Sequence, residues 1–152
     1  MTWCGCLESK LGNLILTASD KALLKVDISR AEPRFQNPNA TVRKVITQLR
    51  EYFAGERKKF SVPMFFQGTV FQKKVWDALL NIPYGDVCTY AELAARIGHP
   101  RAYRAVGNAL GRNRIPIIIP CHRVVAREEL GGFNSGLAVK KSLLMMETGR
   151  RF

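Results

Sequence analysis

The chain has 152 residues, of which 47% are hydrophobic, enough for one ordinary domain or for two small domains that share a core. No apolar run approaches the roughly 18 residues that a membrane-spanning helix needs. The first residues also lack a basic segment followed by an apolar one, so we expect a cytoplasmic protein without membrane association. A formal net charge of +12 favours a polyanionic partner, because each phosphate that Lys or Arg neutralises releases condensed counterions.

The N-terminal half alternates short apolar segments with turn residues. Segments 14–17 and 22–27 predict a hairpin-like sheet, and the two prolines of segment 31–39 predict a loop. Apolar residues then recur at helical spacing from Val42 to Phe53, and Gly55 ends the predicted helix. The basic, proline-containing segment 56–68 is interpreted as the connection to a second half.

The second half is predicted to be mostly helical. Thr69 with Gln72, and Thr89 with Glu92, have the spacing of capping boxes that begin helices. The first helix is expected to bury Phe71, Val75, Trp76 and Leu79, and the second to bury Leu93, Ala94 and Ile97. After a turn at residues 98–100, a further helix is predicted over about 101–110, which makes a helix-turn-helix candidate.

The last of these helices combines small and basic residues. Arg101 and Arg104 are long and charged, whereas Ala102, Ala105, Gly107 and Ala109 are small. Small residues let a helix backbone approach the minor groove closely, although the same alanines are also expected if they only contact a neighbouring helix. From residue 93 to 127 the chain has seven arginines, no lysine and no acid, which favours nucleic acid over an ordinary solvated face.

The four cysteines are Cys4, Cys6, Cys88 and Cys121, and no CxxC pair is present. The pattern does not suggest a secreted disulfide framework, and we expect Cys4 and Cys6 to be half-buried on one face of a strand. A zinc site formed by Cys4, Cys6, Cys88 and His99 remains an alternative, with poor ligand spacing.

The most informative segment is 115–125, in which two prolines flank three isoleucines directly before Cys121 and His122. Proline fixes φ and favours an extended preceding residue, so a stiff, buried, extended segment is predicted. A cysteine is nucleophilic as thiolate and needs a base or cation nearby. In an extended chain His122 would point away from the sulfur, and a bridging water would have to carry the proton. The alternative is a buried cysteine beside a structural histidine.

Several motifs in the second half resemble the O6-alkylguanine-DNA alkyltransferases, also called methylated-DNA–protein-cysteine methyltransferases. The most specific is the sequence Pro-Cys-His-Arg-Val at residues 120–124. The resemblance covers essentially the whole C-terminal half, whereas in the N-terminal half only the turn at 9–12 resembles the family. The other matching positions are 71–76, 82–87, 89–90, 104–107, 113, 132–144 and 147.

The resemblance implies that five residues carry out an alkyl transfer. Cys121 would accept the alkyl group, His122 would act through water as its base, and Glu147 would orient that imidazole. Arg104 would fill the gap left by a flipped nucleotide, because the O6 atom is unreachable inside the base stack. Tyr90 would press on the phosphate and donate a proton toward N3, so that guanine leaves as a neutral molecule.

The resemblance also implies residues that bind DNA or substrate. The backbone carbonyls of Cys121 and Val124 would bind the exocyclic amine of guanine, and the backbone amide of Asn134 would approach O6. Asn113 would pin the turn that follows the recognition helix. The remaining members of this set are Arg101, Ala102, Ala105, Arg123, Phe133 and Ser135.

Three features depart from the family pattern. Phe133 stands where the family commonly has tyrosine, and Asn134 stands where serine or arginine is common. The loop 126–132 carries Glu128 and Glu129, which are unusual beside DNA. We expect these differences to affect the range of alkyl groups accepted and not the reaction itself.

The fold that the resemblance implies is α+β. A ribonuclease-H-like domain of sheet and helix is expected over 1–62, and a mostly helical, winged-helix-like alkyltransferase domain with a helix-turn-helix over 63–152. The implied function is DNA repair, by transfer from O6-alkylguanine, and also from O4-alkylthymine, in duplex DNA. An S-alkyl thioether offers water no group to attack, so each chain is expected to react once. The protein is also expected to be a monomer and to need no cofactor or metal.

Two other functions fit parts of the sequence. A cysteine hydrolase could use Cys121, His122 and Glu147, but no loop is recognised as an oxyanion hole. A non-enzymatic module, either a transcription regulator or an alkyltransferase-like lesion sensor, would use the helix-turn-helix alone. Sensors of that kind lack the acceptor cysteine, which this chain has.

Overall fold

The computed structural model describes residues 1–127 and 129–152 and divides the chain into two compact units, Met1–Phe66 and Gln67–Phe152. The domain boundary was expected after residue 62, four residues before the division in the structure. Leu23 N–H donates to Pro63 O at 2.8 Å, and Phe65 N–H donates to Leu23 O at 2.9 Å. These two bonds attach residues 63–66 to the first unit.

The N-terminal unit consists of an antiparallel sheet and one helix. The strands β1 (Trp3–Ser9), β2 (Gly12–Ala18) and β3 (Leu23–Ser29) lie in the order β1-β2-β3. The predicted hairpin is therefore extended by a further strand, and Cys4 and Cys6 are half-buried on it, as expected. Helix α1 (Ala40–Phe53) begins where the Asn39 side chain accepts from Val42 N–H.

The C-terminal unit is mostly helical, and the α+β class is confirmed. At Thr69 both halves of the predicted capping box form, and Thr89 accepts from Glu92 N–H. Of the first helix's expected core residues, Phe71 is only half-buried. The elements are α2 (Val70–Leu79), β4 (Cys88–Thr89), α3 (Tyr90–Arg96), α4 (Tyr103–Gly111), β5 (Val124–Val125) and α5 (Leu137–Thr148), and β4 pairs with β5 in parallel.

The helix-turn-helix predicted from the sequence is formed by α3 and α4. Gly98 has φ +80°, a left-handed conformation that glycine adopts without steric cost, and Ala102 N–H donates to His99 O at 2.9 Å. Leu93 and Val106, one on each helix, are fully buried. The turn therefore joins two helices that share a core.

The expectation of an extended segment before Cys121 is wrong. Residues 116–118 form a turn, in which Ile117 has φ 73° and Ile119 N–H donates to Ile115 O at 3.0 Å. The three isoleucines are buried, as expected. The two prolines restrict the ends of the turn, but the side chain of Asn113 closes it by hydrogen bonds to Ile115 and Ile119.

The described part of the chain has neither a membrane-crossing helix nor a cluster of metal ligands. No helix in residues 1–127 and 129–152 is both long and apolar enough to cross a membrane. Within the same ranges, no group of three or more His, Cys, Asp or Glu side chains is placed to hold a metal ion.

Candidate active site

Cys121 begins a single turn of 3₁₀ helix, Cys121–Arg123, that follows the closed turn of isoleucines. Cys121 is 8% exposed, so this residue lies at the edge of the core. Burial raises the pKa of Cys121 to about 11, although a hydrogen bond from Asn113 and the charge of Lys140 lower it. At pH 7 a pKa near 11 leaves roughly one thiolate in ten thousand molecules, so the nucleophile needs a base.

His122 and Glu147 form a buried pair within the C-terminal unit. His122 Nε2 lies 2.9 Å from Glu147 Oε2, and both side chains have an exposed fraction of 0%. Burial alone would raise the pKa of Glu147, but hydrogen bonds from His122 and Arg123 lower it to about 2. Because Glu147 is therefore ionised at neutral pH, His122 Nε2 carries a proton and donates it to the carboxylate.

The other ring nitrogen of His122 is left as an acceptor. His122 is fully buried, and burial lowers its pKa although Glu147 raises it. The neutral ring, with its proton on Nε2, has a lone pair on Nδ1. Among the described residues, Nδ1 is the buried side-chain atom without a hydrogen-bond partner. An unsatisfied buried acceptor is costly, so a group that donates to Nδ1 is favoured at this place.

Arg123 was expected to bind DNA or substrate, and the structure contradicts this. Its residue is 6% exposed, and its guanidinium donates from Nε and Nη2 to the two oxygens of Glu147 at 2.7 and 3.0 Å. Nη1 donates to Ile82 O at 2.6 Å. A bidentate pair of this kind fixes the carboxylate plane, so Arg123 orients Glu147, which in turn orients His122.

Asn113 closes the turn that precedes the cysteine. Its Oδ1 accepts from Ile115 N–H at 2.9 Å, and its Nδ2 donates to Ile119 O at 2.9 Å. The same side chain is hydrogen-bonded to the thiol of Cys121 and lowers the pKa of that thiol. One amide therefore joins the end of α4, the isoleucine turn and the reactive sulfur, which is a positioning role.

The segment 129–136, here called the site loop, contacts three helices. Tyr90 Oη, on α3, accepts from Gly132 N–H at 3.2 Å, and Lys140 Nζ, on α5, donates to Gly132 O at 2.9 Å. The Asn134 side chain donates to Gly111 O at the end of α4. Because consecutive parts of the loop are fixed to different helices, its position depends on all three.

The remaining candidate residues of this region lie on the site loop or next to it. Phe133 and Ser135 are half-buried, Asn134 is exposed, and Val124 is fully buried. Val124 O, expected to accept from the guanine amine, already accepts from Lys140 Nζ at 2.6 Å. Of the two unusual acids, Glu129 is exposed, and Glu128 lies outside the described residues.

The basic and small residues predicted to approach DNA lie on α4 and in the two residues before it. Arg101, Arg104 and Ala105 are exposed, and Ala102 is half-buried. Ala109, in contrast, is buried, and its carbonyl accepts from Trp76 Nε1 at 2.9 Å. The alternative explanation for the alanines, contact with a neighbouring helix, therefore applies to Ala109 and not to Ala105.

Lys140 was not predicted to belong to the site, but its side chain is completely buried there. Burial lowers its pKa to about 8, against the charge of Cys121, which raises it. A sequence signal was present, because Lys140, Leu143, Leu144 and Glu147 have the i, i+3, i+4, i+7 spacing of the buried face of one helix. A lysine that shares this face with the predicted Glu147 is a candidate for the site.

Comparisons with known proteins agree with this arrangement. The family model described as "6-O-methylguanine DNA methyltransferase, ribonuclease-like domain" matches residues 3–66, and the one described as "6-O-methylguanine DNA methyltransferase, DNA binding domain" matches residues 70–149. A methylated-DNA–protein-cysteine methyltransferase of Methanosarcina acetivorans is 44% identical over 147 residues, with 92% of this chain and 94% of that protein covered.

Two solved structures of one relative are also similar. The O6-methylguanine methyltransferase of Mycobacterium tuberculosis has a TM-score of 0.88 and 38% identity, with 99% of this chain and 94% of that chain covered. A structure of the same organism's protein in complex with DNA has a TM-score of 0.86 and 40% identity, covering 96% of this chain and 92% of that chain. From its buried Cys–His–Glu site and from these matches across both units, the chain belongs to the 6-O-methylguanine DNA methyltransferase family.

Proposed function

We propose that this protein repairs duplex DNA by moving the alkyl group of O6-alkylguanine onto Sγ of Cys121. The observation that carries the proposal is the Glu147–His122 pair, which fixes the imidazole with Nδ1 as acceptor next to a buried thiol. Family membership and the structure of a similar protein in complex with DNA support the partner.

The first step is loss of the thiol proton. A bridging water accepts the proton from Cys121 Sγ and passes a proton to His122 Nδ1, which leaves a thiolate and an imidazolium. Glu147 stabilises the imidazolium by the hydrogen bond at Nε2, as the carboxylate of a catalytic triad does. The pKa of about 11 for Cys121 makes this assistance necessary at neutral pH.

The second step is an in-line displacement at the alkyl carbon. A C–S bond forms as the C–O6 bond breaks, and the electron pair of that bond goes to the guanine oxygen. Tyr90, whose hydroxyl lies at the site loop, donates a proton to N3, so that the leaving base is neutral guanine. Solvent returns a proton to Tyr90. The thioether that remains has no route to hydrolysis, so one chain repairs one lesion.

Binding of the duplex is assigned to the exposed face of α4. Arg104 and the small Ala105 are exposed on this helix, and Arg101 is exposed just before it, a combination suited to close approach in the minor groove. Arg104 enters the base stack and replaces the nucleotide that turns into the site. O4-alkylthymine presents a similar alkyl–oxygen bond but has no exocyclic amine for the backbone carbonyls, so it is accepted at a lower rate.

The hydrolase alternative is less well supported by the same geometry. A hydrolase would need His122 to take the proton of the nucleophile at Nδ1 and then protonate a leaving group, and the Glu147–His122 pair would meet that requirement too. A second requirement is a set of N–H donors for an oxyanion, and the amide of Cys121 is instead bonded to Ile119 O at 2.8 Å. Alkyl transfer needs no oxyanion hole.

A transfer assay tests the proposal with a matched control. Duplex carrying one labelled O6-methylguanine is incubated with wild-type protein, Cys121→Ala and Cys88→Ala. Cys88 is also a buried free thiol of the C-terminal unit, so its replacement controls for loss of any buried sulfur. Wild-type protein and Cys88→Ala are expected to take up label, whereas Cys121→Ala binds the duplex and takes up none. Label on the Cys121→Ala protein would contradict the proposal.

A further inference from the structure

A buried lysine that the transfer steps do not use lies between β5 and the site loop. Lys140 has an exposed fraction of 0%, and its Nζ donates to Val124 O at 2.6 Å and to Gly132 O at 2.9 Å. Burying an ammonium group is costly unless several acceptors compensate it. The carbonyl of Val124 on β5 and that of Gly132 on the site loop provide that compensation. Lys140 Nζ therefore links the two segments.

The contact to Gly132 fixes the part of the loop that faces the substrate. Both backbone groups of Gly132 are hydrogen-bonded: its N–H donates to Tyr90 Oη, and its carbonyl accepts from Lys140 Nζ. The next residues are Phe133, assigned to the wall around the alkyl group, and Asn134, assigned to O6. A shift of Gly132 would therefore move both residues relative to Cys121.

The charge of Lys140 also acts on the nucleophile. Its positive charge lowers the pKa of Cys121, and Cys121 in turn raises the pKa of Lys140. The same ammonium lowers the pKa of His122, which favours the neutral imidazole that the base must be. Lys140 thus interacts with Cys121, which loses the thiol proton, and with His122, which receives it.

We propose that Lys140 is a positioning residue for alkyl transfer, which fixes the site loop to β5 and favours ionisation of the acceptor sulfur by its charge. This inference rests on the proposed role of Cys121 as acceptor. Its two parts predict separate effects: loss of the donor changes the preference between small and large alkyl groups, and loss of the charge lowers the reactivity of the thiol.

Three variants separate these effects. Lys140→Met keeps the length of the side chain and removes both charge and donors, whereas Lys140→Arg keeps the charge in a larger group. Lys141→Met is the matched control, since Lys141 is the next residue on α5 and is exposed. Folding of each variant is checked by circular dichroism before its activity is measured.

The first measurement uses iodoacetamide on DNA-free protein, with Cys121 labelling followed across pH. Lys140→Met is expected to react about tenfold more slowly at neutral pH, with its reactivity profile moved to higher pH by about one unit. Lys141→Met and Lys140→Arg should retain the wild-type profile. A profile for Lys140→Met that coincides with that of Lys141→Met would overturn the electrostatic part.

The second measurement compares transfer from duplexes with O6-methylguanine and O6-benzylguanine, together with amide hydrogen exchange of residues 131–136. Both Lys140 variants should alter the ratio of the two transfer rates by about tenfold or more, and Lys140→Met should exchange faster in the loop. An unchanged ratio with unchanged exchange refutes the positioning part. If Lys140→Met does not fold, Lys140→Arg still tests this part, because it keeps the charge.

These outcomes are distinguishable from failure of the proposed function. If wild-type protein and Lys141→Met leave Cys121 unmodified by DNA, the proposed alkyl transfer is wrong. The iodoacetamide and exchange measurements need no alkylated DNA, so they still decide whether Lys140 controls the sulfur and the loop.

Discussion

Replacing Glu147 by glutamine should slow transfer strongly, because it moves the proton of His122 from one ring nitrogen to the other. Glutamine has nearly the same shape as glutamate, but its amide nitrogen donates where the carboxylate oxygen accepted. Opposite a donor, His122 Nε2 becomes the acceptor and its proton moves to Nδ1. The nitrogen that must receive the thiol proton is then occupied.

The size of the effect follows from the contacts of Glu147. It accepts from His122 Nε2 at 2.9 Å and from Arg123 at 2.7 and 3.0 Å. In a catalytic triad, the equivalent loss of the correct tautomer lowers the rate by about 10⁴, and we expect about 10³ to 10⁴ here. The lowered pKa of Glu147, from 4.5 to about 2, corresponds to about 3 kcal/mol of stability at pH 7.

The sign of the pH dependence is fixed by the direction of that shift. A carboxyl whose pKa is lower in the folded state stabilises the fold fully above its unfolded pKa and loses this contribution as pH falls through the folded pKa. The difference in unfolding free energy between wild-type protein and Glu147→Gln should therefore be constant near pH 7. It should diminish between pH 4.5 and about 2.

Single-turnover transfer and urea denaturation measure the two effects. The control is Glu51→Gln, because Glu51 pairs with Arg57 at 3.2 Å but is 38% exposed, and an exposed pair contributes about 0–1 kcal/mol. Transfer by folded Glu147→Gln within a few-fold of the wild-type rate would refute the assignment of His122 as base and of Glu147 as its partner.

Three further predictions concern DNA binding and the acceptor turn. Arg104→Ala should bind O6-methylguanine duplex less tightly and transfer at least tenfold more slowly, measured by fluorescence anisotropy and single-turnover kinetics, because the flipped nucleotide has no replacement in the stack; wild-type kinetics would refute this role. Asn113→Ala should lower the free energy of unfolding by about 1–3 kcal/mol, since Ile115 N–H and Ile119 O lose their partner, and an unchanged urea midpoint would contradict it. Protein methylated at Cys121 should be less stable than unmodified protein by about 1–3 kcal/mol, because the added methyl group enters a packed site; equal melting temperatures would contradict that expectation.

Elements with a local sequence signal could be predicted from the sequence. Helix α1 ends before Gly55, and the box at Thr69 begins α2, because capping and apolar spacing act within a few residues. A strand through Cys4 and Cys6 was expected, but its pairing with the predicted hairpin was not. The strand β1 contains Gly5, two cysteines and Glu8, which interrupt the apolar alternation, and its pairing with β2 supplies what its composition lacks.

The contacts of two predicted features of the site could not be read from the sequence. The resemblance assigned Arg123 to DNA or substrate, but its guanidinium binds the buried carboxylate of Glu147. The chain before Cys121 was expected to be extended because prolines favour that conformation, whereas Asn113 closes it into a turn. Both errors arise from partners distant in the sequence or from side-chain hydrogen bonds, which local propensity does not contain.

The peptide that contains Cys121, analysed by mass spectrometry after reaction with an excess of duplex O6-methylguanine, tests the central claim most directly. The account predicts the mass of one added methylene on Cys121, at no more than one per chain, with Cys4, Cys6 and Cys88 unmodified. An unmodified Cys121 peptide from folded, DNA-bound protein, or the methyl group on a different residue, would contradict it.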